Sequence, residues 1–178
     1  MNNLGTYEKT VKASLTGKRL AVRIAAILLY AIIAVAFLIA ALINFNIFAV
    51  IALVGALVTV GVIKLTWKYL QLEYEYSFSY GTLSVAKIYG KRTRRQVAEA
   101  DIKSLIMIAP ATKENIVRAE HLEAEGRVIA VSSESADNIW LVLTGDKDEK
   151  RVIIFFEADE RSLAILKSTN PYAFSKSI

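Results

Sequence analysis

The chain has no cysteine, two prolines, one histidine and, in its first 64 residues, a single acid, Glu8. Each shortage excludes something. Without cysteine there is no disulfide and no thiolate metal site. With only His121, a zinc site lacks the second histidine or cysteine that would complete it. His121 sits in "RAEHLEAEG". Glu120, Glu123 and Glu125 beside it offer at most a loose metal site, and a solvated charged segment is the simpler reading. There is no glycine-rich loop of the phosphate-cradling kind. Ser132 and Ser133 have no neighbouring base to activate them. Asp101 reads as a turn or capping residue rather than a general base. No catalytic set, metal or cofactor is expected, and the chain is read as a non-enzyme.

The shortage of acid is the most informative. Residues 1–64 hold Lys9, Lys12, Lys18, Arg19, Arg23 and Lys64 against Glu8 alone, which accounts for the whole net charge of +5. Residues 65–178 hold 16 basic and 16 acidic residues and sum to zero. The excess is not the footprint of a nucleic-acid-binding domain, and nucleic acid is not expected as a partner.

Charge is absent from Ile24 to Ile43 and again from Ile47 to Ile63. At a rise of about 1.5 Å per residue these runs make helices of roughly 30 Å and 26 Å. The first matches a hydrocarbon core of about 30 Å and the second is near the lower length limit. Neither keeps the polar stripe of a helix packed in a soluble protein. The first is also longer than a signal-peptide core of about 7–15 residues. The expectation is a helical hairpin over residues 20–66, with retained spans at about 20–43 and 47–64. Its turn, "INFNI", carries no charge and has Asn44, Phe45 and Asn46 at the tip. The basic residues flank the opposite ends, which by the positive-inside rule face the cytoplasm. The result is a multi-pass protein of the cell membrane with both termini cytoplasmic.

Trp67 and Tyr69 fall at headgroup depth, where amphipathic aromatics are enriched. Ala36 with Ala40, and Ala52 with Ala56, give the small-xxx-small spacing that lets helices approach closely. Residues 1–19 place Leu4, Tyr7, Val11 and Leu15 on one helical face. A short amphipathic helix on the membrane surface is expected there, or a frayed start to the first span.

Beyond Tyr69 the period changes from helix to strand. "LEYEYSFSY" puts Leu72, Tyr74, Tyr76, Phe78 and Tyr80 on one face and Glu73, Glu75, Ser77 and Ser79 on the other. Period two with aromatics marks a half-buried strand. Gly81-Thr82 turns the chain and "LSVAKIY" returns. A third strand is expected near 94–98. Four more follow at "KSLIMIA", "RVIAVSS", "NIWLVL" and "RVIIFF", with Trp140 in the core and "GDKDEK" as a turn. Residues 111–125 are charged with some helical character. The chain ends in a helix with Asp159 as N-cap, Leu163 and Leu166 inward, Lys167 in the last turn and Asn170-Pro171 as the stop.

Seven short strands must hide their edges, and a bent barrel plugged by a helix does so. The order resembles the pleckstrin-homology (PH) superfold, and more specifically the bacterial PH-like domains that follow a membrane hairpin. "YEYSFSYGTLSVAK", "ADIKSLIMI" and "FFEADERSLAILKSTNP" carry the resemblance, which with the spans covers most of the chain. It implies an α+β membrane protein. A two-helix transmembrane hairpin would precede a seven-stranded bent antiparallel barrel at 69–172, capped by a C-terminal helix, with a tail at 173–178.

One cluster stands apart. "IYGKRTRRQ" packs Lys91, Arg92, Arg94 and Arg95 into five positions. The best-known lipid site of eukaryotic PH domains uses basic residues around the turn between the first two strands. Here that turn is "SYGTLS", with none, so the resemblance does not imply that phosphoinositide site. A first strand leaving the membrane and a second returning would bring Gly90–Thr93 to the membrane-proximal end. Anionic lipid attracts each nearby Lys or Arg by about 1 kcal/mol, within a Debye length of about 8–10 Å. The residues expected at the membrane surface are Lys91, Arg92, Arg94, Arg95, Lys64, Trp67, Arg19 and Arg23. Glu73 and Glu75 offer the cluster competing partners across the strand.

The expected partners are the lipid bilayer, anionic headgroups, and either a second copy or another membrane protein. The expected function is a PH-like binding or scaffolding domain at the inner membrane surface. A lipid-sensing or regulatory subunit of a larger membrane complex is the alternative.

Overall fold

The computed structural model describes residues 6–14, 17–43, 47–133, 135–145 and 150–175, apart from the side chains at 17–19, 41, 43, 47–49, 51, 52, 65, 68–70 and 175. The chain divides into two compact units. One is helical and takes residues 14–72 with 89–91. The other is a domain built from the chain up to residue 13, from 73–88 and from 92 onward. The expected turn tip (Asn44, Phe45, Asn46), residues 1–5, most of "GDKDEK" and residues 176–178 lie outside the described residues.

The helical unit consists of α1 (Gly17–Ile43) and α2 (Ile47–Leu70) packed against each other. Segment Leu20–Ala40 of α1 is long and apolar enough to cross a membrane, and none of it is buried. A shorter apolar segment, Leu53–Lys64, lies in α2. The less exposed positions of α1 are Arg23, Ala26, Tyr30, Ile33, Phe37 and Ala40, and those of α2 are Gly55, Thr59, Ile63, Thr66 and Trp67. Spacings of three and four make each set a single seam. Tyr30 shares a hydrogen bond with Thr66. A β-carbon at Gly55 would collide with the Phe37 ring. Ala36 and Ala56 are exposed, so the expected alanine pairs do not form the seam. Gly55 and Thr59 supply the small-xxx-small spacing instead, because it is the bulk of Phe37 that needs room.

The domain begins with a strand, β1 (Tyr7–Lys12), where an amphipathic helix was expected. "TYEKTVK" fits both periods. Period two wins because β1 has an edge to fill: it pairs antiparallel with β2 (Leu72–Ser79), Tyr7 opposite Phe78 and Lys12 opposite Glu73. Tyr7, Lys9 and Val11 are half-buried while Glu8, Thr10 and Lys12 are exposed. The helices are therefore an insertion between the first two strands, not a preface to the domain.

From β2 the chain turns through Tyr80 and Gly81, at φ 50° and 86°, one residue earlier than expected. Both left-handed positions are what a two-residue hairpin turn requires. β3 (Thr82–Tyr89) and β4 (Thr93–Asp101) complete a four-stranded sheet in the order β1-β2-β3-β4. The expected fourth strand, 103–109, is split. Ile102–Ser104 form one turn of 3-10 helix capped by Asp101, which accepts from the Lys103 N–H at 3.0 Å, and β5 covers Met107–Pro110. Residues 111–125, expected to have some helical character, contain α3 (Lys113–His121), capped by Thr112.

β6 (Gly126–Ala130), β7 (Ile139–Leu143) and β8 (Val152–Glu157) join β5 in a second sheet, ordered β5-β7-β8-β6. β6 runs parallel to β8. The described strands thus number eight in two sheets with one parallel pair, rather than seven in an antiparallel barrel. α4 (Glu160–Thr169) and α5 (Pro171–Ser175) close the domain.

The run "VIIFF" in β8 is apolar at every position because both its faces are covered. Phe156 meets Tyr76 and Phe78, ring centroids 5.8 and 6.3 Å apart. Ile153 and Phe155 join Met107, Ala119, Leu141 and Leu143 in a cluster. Trp140, expected in the core, is only half-buried, its ring 5.9 Å from that of Phe174. Leu166 is buried in α4 as expected, but Ile165 takes the second inward place and Leu163 only half of one. Asn170 does more than stop the helix. Its buried amide donates to the carbonyls of Ile102, Lys103 and Leu105 at 2.9, 3.2 and 3.0 Å.

Because Lys12 and Glu73 are register partners, an Asn-Gly turn in place of residues 13–72 should leave a domain that folds without the helices. A fragment starting at Glu73 should be less stable by roughly 2–4 kcal/mol, since full burial of one large apolar side chain is worth about 1.5–3 kcal/mol and β1 contributes Tyr7 and Val11. Urea denaturation of the two proteins compares them directly. Equal midpoints would mean that β1 adds nothing to the domain.

Candidate functional site

The basic cluster occupies the β3–β4 connection. Gly90 and Lys91 are both left-handed, φ 57° and 59°. Glycine adopts this freely and lysine at a cost, so the turn shape is imposed by the ladder on either side. The Gly90 N–H donates to the Gln71 carbonyl at 2.8 Å, within the helical unit. Gln71 directly follows α2, so the start of the basic turn is fixed to the exit of that helix.

The four basic residues do not share one fate. Arg94 forms an ion pair with Glu75, whose carboxylate is largely buried in β2. That arginine compensates a carboxylate that would otherwise be charged and desolvated. Lys91, Arg92 and Arg95 are exposed and have no ion pair among the described residues. Within the helical unit, the Arg23 guanidinium lies 5.0 Å from the centroid of the Trp67 ring. Two residues expected at the surface independently are thus one cation–π pair. Lys64 is exposed. The side chains of Arg19 and Tyr69 lie outside the described residues.

A second polar cluster, which sequence reasoning missed, ties β1 to α4. Tyr7 donates a hydrogen bond to Asp159 Oδ2. Lys9 Nζ lies 3.7 Å from the same oxygen and donates to the Glu157 carbonyl at 3.1 Å. The Arg161 guanidinium covers the Tyr7 ring at 4.7 Å. Asp159 was legible as an N-cap, and its Oδ1 does accept from the Ser162 N–H at 2.8 Å in a capping box. The alternation of "YEKTVK" was the signal for its second role. Burial raises the Asp159 carboxyl, but hydrogen bonds from Tyr7 and Ser162 and the charge of Lys9 outweigh it, and the net shift is downward. Burial, then the hydrogen bond to Asp159 and its charge, push the Tyr7 phenol up to about 12.

The residues considered for chemistry sit elsewhere. His121 is the exposed last residue of α3. Its acidic neighbours are engaged: Glu120 with Arg127, Glu123 with Arg151 at 3.5 Å, and Glu125 with Lys150 at 3.0 Å. No group of three metal-ligating side chains occurs among the described residues. Ser133 Oγ lies 3.3 Å from Ser135 Oγ, and the Ser132 N–H donates to Glu157. A polar groove of about 540 Å³ crosses the outer face of the first sheet, lined by Glu8, Ser77, Ser84, Arg94 and Gln96 among others.

Against known proteins, one family model matches, over residues 6–176, and it describes a bacterial PH-like domain. No curated protein and no solved structure matches. The matched range starts at β1 and runs through both helices, in agreement with the helices being an insertion within the domain.

The Tyr7–Asp159 bond makes stability depend on pH at both extremes. A depressed carboxyl contributes stability above its ordinary value of about 3.9, lost as pH falls through the folded value. A raised phenol contributes below about 10, lost as pH rises through about 12. Asp159→Asn should flatten the acid limb of a denaturation-midpoint profile, and Tyr7→Phe the alkaline limb. Profiles parallel to the unsubstituted protein would show that the pair is not formed in solution.

Proposed function

The chain belongs to the bacterial PH-like domain family, and we propose on that footing that it is a multi-pass protein of the cell membrane that presents this domain at the cytoplasmic surface as a binding or scaffolding module. One observation carries the reading. β1 and β2 pair although both helices lie between them. The insertion therefore leaves and re-enters the domain at neighbouring residues, Lys12 and Glu73, so it crosses the bilayer an even number of times. With Leu20–Ala40 as one span, α2 is the returning one. The outward side chains of both helices support this: Leu28, Ile32, Leu38, Leu53 and Leu57 are all more than half exposed. Six basic residues against one acid around the helices set both termini in the cytoplasm. The module performs no catalysis. Its contact with anionic lipid is made by Lys91, Arg92 and Arg95, which follow within a few residues of the Gly90–Gln71 bond at the helix exit.

Two measurements test this. A reporter active only outside the cytoplasm should be silent at either terminus, and activity at one end alone would rule out the even crossing. The domain closed by Asn-Gly across residues 12 and 73 should bind liposomes containing anionic lipid and not neutral ones. At about 1 kcal/mol per basic residue, Lys91→Ser, Arg92→Ser and Arg95→Ser together should weaken that binding by roughly a hundredfold. Arg94 is left in place because it compensates Glu75. Absence of binding in both versions would turn the docking surface toward a protein partner instead.

A further inference from the structure

We propose that the outer face of the first sheet carries a binding groove for a small polyhydroxylated amine, of the amino-sugar class. Lipid binding by the basic turn plays no part in this recognition. The groove has a volume of about 540 Å³ and is lined by the four strands of that sheet and by Thr6 just before β1. A solvent-facing sheet ordinarily presents polar side chains across its whole width. Here the long ones stand only at the sides, Glu8 on β1 and Arg94 and Gln96 on β4, and the floor between them is serine and alanine. β2 and β3 are the inner strands, so the small residues run down the middle as a trough. Glu8 is the register partner of Ser77. The two-residue turn at Tyr80-Gly81 in turn sets Ser77 opposite Ser84. At about 4.8 Å between strands, Glu8, Ser77 and Ser84 form a row about 10 Å long that ends against β4.

Ser77 is only 8% exposed, yet its hydroxyl has no hydrogen bond among the described residues, and neither have those of Ser79 and Ser84. Buried polar groups are normally paired, so a buried hydroxyl with two more beside it in one trough points to a ligand that pairs them. A hydroxyl both donates and accepts, which suits a ligand built of hydroxyls. The charge balance narrows the class. Arg94 is neutralised by Glu75, whereas Glu8 has no ion pair among the described residues. The row therefore ends in one uncompensated negative charge, which attracts a primary ammonium and repels a phosphate or carboxylate. No aromatic ring lines the groove, so a nucleobase finds no stacking surface. An extended peptide is equally unsuited, because β2 and β3 spend their backbone groups on the ladders at either side. A ligand lying along the row puts its ammonium at Glu8 and its hydroxyls on the serines. At the far side the Gln96 amide donates to Glu99, which leaves its carbonyl oxygen to accept.

The experiment uses the full chain in nanodiscs of neutral lipid and ligand-observed NMR at slightly acidic pH, where an amino sugar carries its charge. The probes are glucosamine, glucose, glucose 6-phosphate and putrescine. Glucosamine should bind, glucose about tenfold more weakly for want of the contact with Glu8, and the other two not measurably. Glu8→Gln should remove the preference for the amine and leave glucosamine and glucose equal. Ser77→Val deletes the buried hydroxyl, keeps a side chain suited to a strand, and should weaken glucosamine at least about fivefold. Ser84→Leu fills the trough from a half-buried position and should abolish binding; it makes the same test alone should Ser77→Val not fold. Glucosamine binding that survives Ser84→Leu overturns the groove as the site. Glucose, glucose 6-phosphate or putrescine binding as well as glucosamine overturns the assigned ligand class. No saturable binding of any probe at millimolar concentration shows a solvated sheet face and overturns both.

Discussion

The pairing of residues 7–12 with residues 73–78 is the constraint on which the rest of this molecule depends. An antiparallel pair is ordinarily closed by a two-residue turn. Here everything from 13 to 72 is the turn. The entropy of closing a flexible loop rises only logarithmically with length, about 0.6 kcal/mol per doubling, so an insertion of this size does not forbid the pairing. The helices reduce the cost further by packing on each other. Arg23 over Trp67, Tyr30 on Thr66 and Phe37 on Gly55 run in opposite senses along the two helices, which makes them antiparallel. Their outer ends are thereby returned to the same side, as the ladder requires.

The same constraint changes where a lipid site is to be sought. In eukaryotic PH domains the best-known headgroup site surrounds the turn between the first two strands. With β1 ahead of the helices, that connection is the helix pair itself. "SYGTLS", which carries no basic residue, is the second turn and not the first. In the proposed arrangement attachment is by insertion of apolar helices, and headgroup recognition has a smaller task. Three exposed basic residues at about 1 kcal/mol each amount to about 3 kcal/mol, marginal as an anchor and sufficient to favour one orientation of a domain already tethered. Arg94 shows why counting charges overstates such a patch. Its guanidinium is committed to Glu75, and only its neighbours are free to face lipid.

Local pattern made most of the elements legible. "LEYEYSFSY", "NIWLVL" and "RVIIFF" declare strands by alternation or by unbroken apolarity, and Asp159 with Asn170 brackets the last helix. Long-range pairing was not legible. A six-residue strand with two lysines and a glutamate has no apolar run, and only the vacant edge of β2 makes it a strand. The parallel seat of β6 beside β8 has no local signature either, since a strand buried against a neighbour reads alike in both directions. The helical seam failed for a related reason. Alanines at 36, 40, 52 and 56 have the right spacing, but spacing does not say which face meets a partner, and Phe37 selects Gly55. Of the candidate surface residues, the basic turn was visible as composition. The Tyr7–Asp159 contact joins residues 152 positions apart and had no signal beyond the alternation of "YEKTVK".

Those distant contacts share a logic. Each ties a distant segment of the domain to α4, and each does so through a side chain that also terminates that helix. Asp159 caps α4 and receives Tyr7; Asn170 ends α4 and holds the 3-10 turn after β4. A capping interaction is worth about 1 kcal/mol and an ordinary hydrogen bond about the same, so neither contact alone decides stability. Sharing one side chain makes them conditional on each other. If β1 is absent, the cap loses the neighbours that hold its carboxylate ionised and oriented; if α4 frays, β1 loses the acceptor for Tyr7. An edge strand with six residues and one ladder is a weak element by itself. Tying it to the cap of the closing helix makes it cooperative with the whole domain, and it is one of the two strands, with β2, between which the helices are inserted.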